Sequence, residues 1–285
     1  MEKHKITQKI TIKDLPTLEI VPNAKKQLKK LRKGISKDQD KMYAHGKYAM
    51  LICIQGMDTS GKDSLIREIF KDVNARGVVV HSFKVPTEKE LKHDYLWRHY
   101  IALPERGKIN VFNRTHYENV LVTRVHKEYV LHENIPTVSS VNDLTDAFYF
   151  KRMEDINAFE KHLSDNGTIV LKFFLNISKE EQKRRLLRRL ELPEKQWKFS
   201  AGDLKERKLW DDYMNCYEDV LNNTSTSYAP WYMIPADDKP SARALVANII
   251  AQHILKHKDI KYPELDAKDK DDLQLFIQEL QNENS

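Results

Sequence analysis

The apolar run Tyr48-Ala49-Met50-Leu51-Ile52-Cys53-Ile54 stops at Gln55 and gives way to Gly56-Met57-Asp58-Thr59-Ser60-Gly61-Lys62-Asp63-Ser64. A buried strand that runs into G-x-x-x-x-G-K is a strand entering a phosphate-binding loop. The glycines let the backbone turn tightly around an anion. Successive N–H groups and the N-terminus of the following helix then point at phosphate oxygens, and Lys62 adds a mobile positive charge. Gly56, Thr59, Ser60, Gly61, Lys62, Asp63 and Ser64 are therefore candidate phosphate-binding residues. An ordinary Gly-rich turn would match the spacing too, but it would not need a buried strand before it and an amphipathic helix after it.

One position departs from the pattern. Such loops carry Ser or Thr after the Lys, to donate a hydroxyl to Mg²⁺, whereas this chain has Asp63. Asp58 is a second unusual carboxylate inside the loop, so the sequence predicts a metal held by carboxylates. Ser64 would take the hydroxyl role only if the register slipped by one.

The chain of 285 residues can bury one good core, with 40% hydrophobic and 32% charged residues. Its start lacks an apolar leader core and no run approaches the length of a membrane span, so a cytoplasmic protein with no membrane partner is expected. Cys53 and Cys216 lie outside any metal-ligand spacing and read as packed thiols. The net charge of +6 is unevenly spread. Lys25, Lys26, Lys29, Lys30, Arg32 and Lys33 crowd one segment, and Lys183, Arg184, Arg185, Arg188 and Arg189 another, as suits a polyanion.

Residues 1–46 read as a basic arm with one short helix, 47–257 as the domain that carries the phosphate-binding loop and 258–285 as an acidic tail. In that tail Leu273, Leu275, Phe276 and Leu280 could form a stripe for packing or assembly. Within the middle portion helices are expected from Asp63 to about Asn74, from Glu88 to Ala102, around Met153–Leu163 and from Ser241 to Lys256. Strands are expected at 78–83, 109–112, 168–175 and 231–234. This alternation predicts an α/β fold: a parallel sheet covered by helices on both faces.

At the end of the 109–112 strand, where phosphoryl-transfer enzymes of this architecture place a metal-steadying carboxylate, the chain has Asn113. Arg114 and Glu118 follow four residues apart, so a helix beginning there would bring both to one face. Arg114 then reads as a clamp on phosphate and Glu118 as the missing carboxylate; a surface ion pair is the plainer alternative. The helix after Ser178 pairs Arg184 with Arg188 and Arg185 with Arg189 at i,i+4. It is either a solvated basic face or the start of a lid spanning about 178–210, mobile over 193–210, that closes on the transferring phosphoryl group.

Taken with the loop, the segments Phe83-Lys84-Val85-Pro86-Thr87, Tyr95-Leu96-Trp97-Arg98, Leu103-Pro104-Glu105-Arg106-Gly107, Phe112-Asn113-Arg114-Thr115-His116-Tyr117-Glu118 and Val122-Thr123-Arg124-Val125-His126 strongly resemble the type-2 polyphosphate kinases, over roughly Pro22 to Lys256. The resemblance implies a P-loop kinase fold with a helical lid, similar to thymidylate kinase. It further implies reversible, Mg²⁺- or Mn²⁺-dependent transfer of a phosphoryl group from inorganic polyphosphate to adenine or guanine nucleotides. The Asn-Arg-Thr-His-Tyr-Glu segment is similar to the subgroup that accepts both AMP and ADP.

By the same resemblance Asp58, Lys62, Arg114 and Glu118 form the catalytic set, with Asp58 and Glu118 on the metal. Lys84, Arg98 and the lid residues Arg184, Arg185, Arg188 and Arg189 bind phosphate, and a homo-oligomer is expected. Trp97 fits core packing as well as the site. A nucleoside monophosphate kinase using ATP would share sheet, loop and lid but would be expected to keep Ser or Thr at position 63. A nucleic-acid-binding P-loop module would interleave aromatics with its basic clusters, and these clusters have none, so no nucleic-acid partner is expected.

Overall fold

The computed structural model describes residues 2–197, 200 and 202–283. Its centre is a five-stranded parallel sheet in the order β2-β3-β1-β4-β5, the predicted alternation made explicit. Helix α1 (Ala24–His45) precedes β1 (Ala49–Gln55), which leads through the glycine loop into α2 (Lys62–Phe70). β2 (Val78–Ser82) is followed by two single-turn helices, α3 (Glu88–Leu91) and α4 (Trp97–Tyr100), and by β3 (Ile109–Asn113). Two more short helices, α5 (Val122–Val125) and α6 (Glu128–Leu131), lead to the long α7 (Asp146–Asp165) and to β4 (Thr168–Asn176). α8 (Lys179–Glu191), α9 (Pro193–Gln196), α10 (Gly202–Lys208) and α11 (Trp210–Thr224) then run to β5 (Trp231–Pro235). α12 (Lys239–Lys256) closes the fold, and α13 (Ala267–Asn282) lies in the tail.

β1 is buried at all seven positions, as a central parallel strand with helices on both faces must be. One face packs the large core that includes Ile52, Ile54, Ile69 and Val246. The other holds Leu51, Cys53, Phe112, Phe159 and Leu163, the last two supplied by α7. Cys53 and Cys216 are free, buried thiols, as expected. Among the described residues no helix is long and apolar enough to cross a membrane.

The expectation for residues 1–46 is corrected. α1 is a 22-residue helix whose buried Leu28, Ile35 and Met42 recur every seven residues and pack against α12 and α2, while its lysines face water. Gly46 ends it in the left-handed conformation, its N–H returning to the Met42 carbonyl. The residues before α1 form a strap along β5 and α11. Lys5 bridges antiparallel to Tyr232, Ile10 pairs with Asn222, and Thr17 Oγ1 donates to Asp237 at 2.8 Å. The strap covers the outer edge of β5, which would otherwise present unpaired backbone groups.

The helix expected over Glu88–Ala102 is two helices. Asp94 Oδ1 accepts from the Leu96 N–H at 2.9 Å, a local turn that competes with helix continuation and restarts the chain at Trp97. The closing helix begins two residues earlier than expected, with Asp238 as its N-cap and Pro240 in its first turn.

Candidate active site

The loop at the end of β1 has the backbone a phosphate cradle needs. Gly56, Thr59 and Gly61 lie at φ 150°, 62° and 110°. A Cβ on Gly56 would sit 2.9 Å from the Leu175 carbonyl oxygen, so only glycine fits there. Thr59 is the costly position, a β-branched residue in the left-handed region. Arg185 is what holds it. This guanidinium is 7% exposed and spends all five N–H donors on protein: Glu181, the Thr59 and Ser60 carbonyls, and the Ala236 and Asp237 carbonyls. The expectation of Arg185 as a lid residue on phosphate is thereby corrected. It is a pin beneath the loop, tying it to the end of β5.

Lys62, at the first position of α2, folds back to donate to the Gly56 and Met57 carbonyls at 2.6 and 3.2 Å. Burial pushes its pKa down, with Asp58 opposing. The hydroxyls of Thr59 and Ser60 are buried and have no hydrogen-bond partner among the described residues, orphan donors in a loop whose spacing calls for an anion. Ser64 turns its hydroxyl to the Gly61 carbonyl at 3.0 Å, within its own helix turn.

Asp63 and Asn113 meet. Asn113 Nδ2 donates to Asp63 Oδ1 at 2.7 Å across the gap between α2 and β3. The carboxylate usually expected at the strand end and the hydroxyl side chain usually expected on the helix have given way to an amide on the strand and a carboxylate on the helix. Arg114 does not open a helix; it stands at φ 60° and Thr115 caps a 3-10 turn over His116–Asn119. Arg114 and Glu118 still converge, by a strained backbone rather than by i,i+4 spacing. Although burial opposes charge on Arg114, Glu118 and Asp58 raise its pKa, and its guanidinium lies 3.2 Å from Asp58. Glu118 is aimed by Gln55, whose Nε2 donates to Glu118 Oε1 at 3.0 Å and to Thr115 Oγ1 at 3.2 Å.

Arg98 reaches the same crevice from α4. Burial lowers its pKa, while Glu90 and Glu118 both oppose that shift. It packs over the Phe83 ring and donates to the Lys84 carbonyl at 2.9 Å. Lys84 gives that contact through its backbone, and its side chain is exposed. Trp97 is half-buried and stacks on His93, not in the core.

Of the other arginines expected in a lid, Arg184 is held bidentately by Glu181, and Arg189 bonds Asp203 at 2.7 Å, tying α8 to α10. Arg188 is exposed. Residues 198, 199 and 201 of the expected lid lie outside the described residues. The segment expected as a lid reaches the loop all the same. Asp203 has its pKa raised by burial and by Asp58, and Arg207 donates to Gln182, which donates to the Asp58 carbonyl.

Three contributors escaped sequence reasoning. Tyr217 of α11 lies under the crevice, its pKa raised by burial and by Glu118 and Asp58. Lys239 and Arg243 open α12 beside Ser60, Gly61 and Ser64 in a shared cavity. Lys239 is pushed down to about 8, first by burial and then by Arg185 and Arg243. The signal available for Lys239 was its place just after the last strand of a parallel sheet, whose carboxyl end faces the ligand crevice.

Comparison with known proteins supplies an independent reading. A family profile described as Polyphosphate kinase 2 matches residues 21–262. The chain is 47% identical over 226 residues to the ADP-polyphosphate phosphotransferase of Rhodopseudomonas palustris, covering 79% of this chain and 77% of that one. It is 44% identical over 234 residues to the AMP/ADP-polyphosphate phosphotransferase of Meiothermus ruber, covering 82% of each. The crystal structure of polyphosphate kinase 2 from Arthrobacter aurescens superposes with a TM-score of 0.85 at 32% identity, covering 96% of this chain and 95% of that one.

Proposed function

The chain belongs to the polyphosphate kinase 2 family, and from that premise we propose that it transfers the terminal phosphoryl group of inorganic polyphosphate to AMP and ADP. The observation that carries the reading is the convergence of Lys62, Arg114, Asp58, Asp63 and Glu118 at the carboxyl ends of β1 and β3. Donor and acceptor are both phosphate chains, so a site built of one anion cradle, one clamp and several carboxylates can serve both.

The carboxylates also bear on the metal. Among the described residues no group of three or more acidic, His or Cys side chains is poised as a complete cage. Mg²⁺ is commonly held by one or two carboxylates together with substrate phosphates and water, and Asp58 and Glu118 flank Arg114 at the crevice. Asp58 and Glu118 are the residues that would hold it, with Asp63 beside them, and the ion would offset charge on the bridging phosphates.

The chain's own part is positioning and charge neutralisation. The loop N–H groups, the Thr59 and Ser60 hydroxyls and Lys62 grip the donor end. Arg114, released from Asp58, and Arg98 orient the acceptor's phosphate. An acceptor phosphate oxygen attacks the terminal phosphorus in line as the bridging P–O bond of polyphosphate breaks. The nucleophile is already an anion, so no general base is required. One phosphoanhydride is exchanged for another, and the site therefore runs in both directions.

Incubating the purified protein with Mg²⁺, polyphosphate and AMP, ADP, GMP or GDP, and separating the products by chromatography, tests this. ADP and ATP are expected from the adenine acceptors. Phosphorylation of AMP by ATP but not by polyphosphate would overturn the donor assignment.

A further inference from the structure

One layer behind the crevice, Lys172 of β4 and Glu160 of α7 are both 0% exposed, with Nζ and Oε2 2.6 Å apart. Lys172 also donates to the Tyr117 hydroxyl at 2.8 Å and to the Thr224 carbonyl at 2.6 Å, which uses all three of its protons. Glu160 Oε1 accepts from the Tyr117 hydroxyl at 2.8 Å and lies 3.1 Å from His116 Nε2, the nitrogen this contact assigns the proton. Burial works to raise the Glu160 pKa, but Lys172 and His116 more than offset it, so the carboxylate stays charged.

Stability does not account for such a cluster. A buried ion pair is often no better than an apolar pair of the same volume, because desolvation cancels most of the attraction. What the cluster does fix is direction. His116 and Tyr117 are consecutive, and the next residue is Glu118. On the other side of Thr115 stands Arg114 in the left-handed region, an arrangement that persists only where its surroundings over-determine it. The segment is anchored at both ends: Asn113 to Asp63 in front, and His116 and Tyr117 to Glu160 behind.

We propose that Glu160 and Lys172 are positioning residues for phosphoryl transfer: acting through His116 and Tyr117, the buried pair holds the 113–118 segment so that Arg114 and Glu118 face the acceptor's phosphates. This rests on the acceptor-side role of Glu118 in the function proposed above. The donor cradle belongs to a different segment, which this one touches only through Asp63 and Asp58, so the pair acts more on the acceptor than on the donor.

The test is the double variant Glu160→Gln/Lys172→Met, which removes both charges at nearly constant volume, beside Tyr117→Phe, which removes only the hydroxyl. Each is examined by thermal melting, by initial rates against acceptor and against polyphosphate, and by calorimetric binding of AMP. The double variant is expected to lose about 10- to 100-fold in kcat, the scale of a small misplacement of reacting groups. Its acceptor KM and AMP Kd should rise by more than its polyphosphate KM. Tyr117→Phe should move the same way by less; it strands one buried Lys172 proton and so should melt lower while remaining folded at assay temperature, and it decides alone if the double variant does not fold. Wild-type kcat and AMP Kd in a folded variant would overturn the proposal, as would an equal loss of affinity for both substrates. A wild-type protein that binds AMP but transfers nothing from polyphosphate would instead overturn the function.

Discussion

Lys62 donates to two carbonyls of its own loop, bonds that must be exchanged for phosphate oxygens when the donor binds. Lys62→Ala is expected to lower turnover by at least ~10² with the fold intact, the scale of losing one preorganised charge at a phosphoryl transition state. Arg185 and Arg188, three residues apart, should behave oppositely. Arg185→Ala strands four backbone carbonyls in the interior and should cost about 2–4 kcal/mol in denaturant unfolding. Arg188→Ala should change stability by no more than about 0.5 kcal/mol and be read in kcat instead. Glu118→Gln keeps size and removes charge; the Mg²⁺ concentration for half-maximal rate should rise, and AMP should suffer more than ADP. The Asp63–Asn113 contact makes its own prediction. Asn113→Asp alone would set two carboxylates at hydrogen-bond distance and force one to hold a proton, so Asp63→Ser should harm the natural chain yet help the Asn113→Asp variant. That coupling could not be read from the sequence, since the two residues are 50 positions apart and only the sheet brings them together. The loop was legible because its spacing is local.

At the scale of elements, the sequence misled where charge outweighed pattern. The lysines of α1 suggested an arm, although Leu28, Ile35 and Met42 already recurred at a helical repeat that had to be buried. Ile35→Ala is expected to cost about 2–5 kcal/mol, which a solvated arm would not. Arg114 and Glu118 were read as neighbours for the wrong reason, since a left-handed residue leaves no periodicity in a sequence. β5 and α12 carry a pH dependence. His253 Nε2 pairs with the Tyr232 hydroxyl at 2.7 Å, and burial pushes its pKa to about 4, with Lys256, Lys5 and His257 adding to the shift. Between pH ~6.5 and ~4 the unfolded chain binds this proton and the folded chain does not, so stability falls as the pH drops through that window. His253→Leu should flatten the loss, measured as melting temperature from pH 7 to 5.

Over the whole molecule, the net charge of +6 includes an acidic tail, so the body that meets polyphosphate is more basic than the total suggests. The KM for polyphosphate should therefore rise with added salt as screening weakens the attraction. The N-terminal strap has a consequence of another kind. Its partners on α11, β5 and the turn before α12 lie more than 200 residues downstream, 220 for Thr17 and Asp237. At ribosomal speeds of about 5–20 residues per second, the strap emerges some ~10–40 s before these partners exist. The strap, made long before these partners, is thus among the last segments to dock, and until it does the nascent chain shows a bare sheet edge to its neighbours on the polysome.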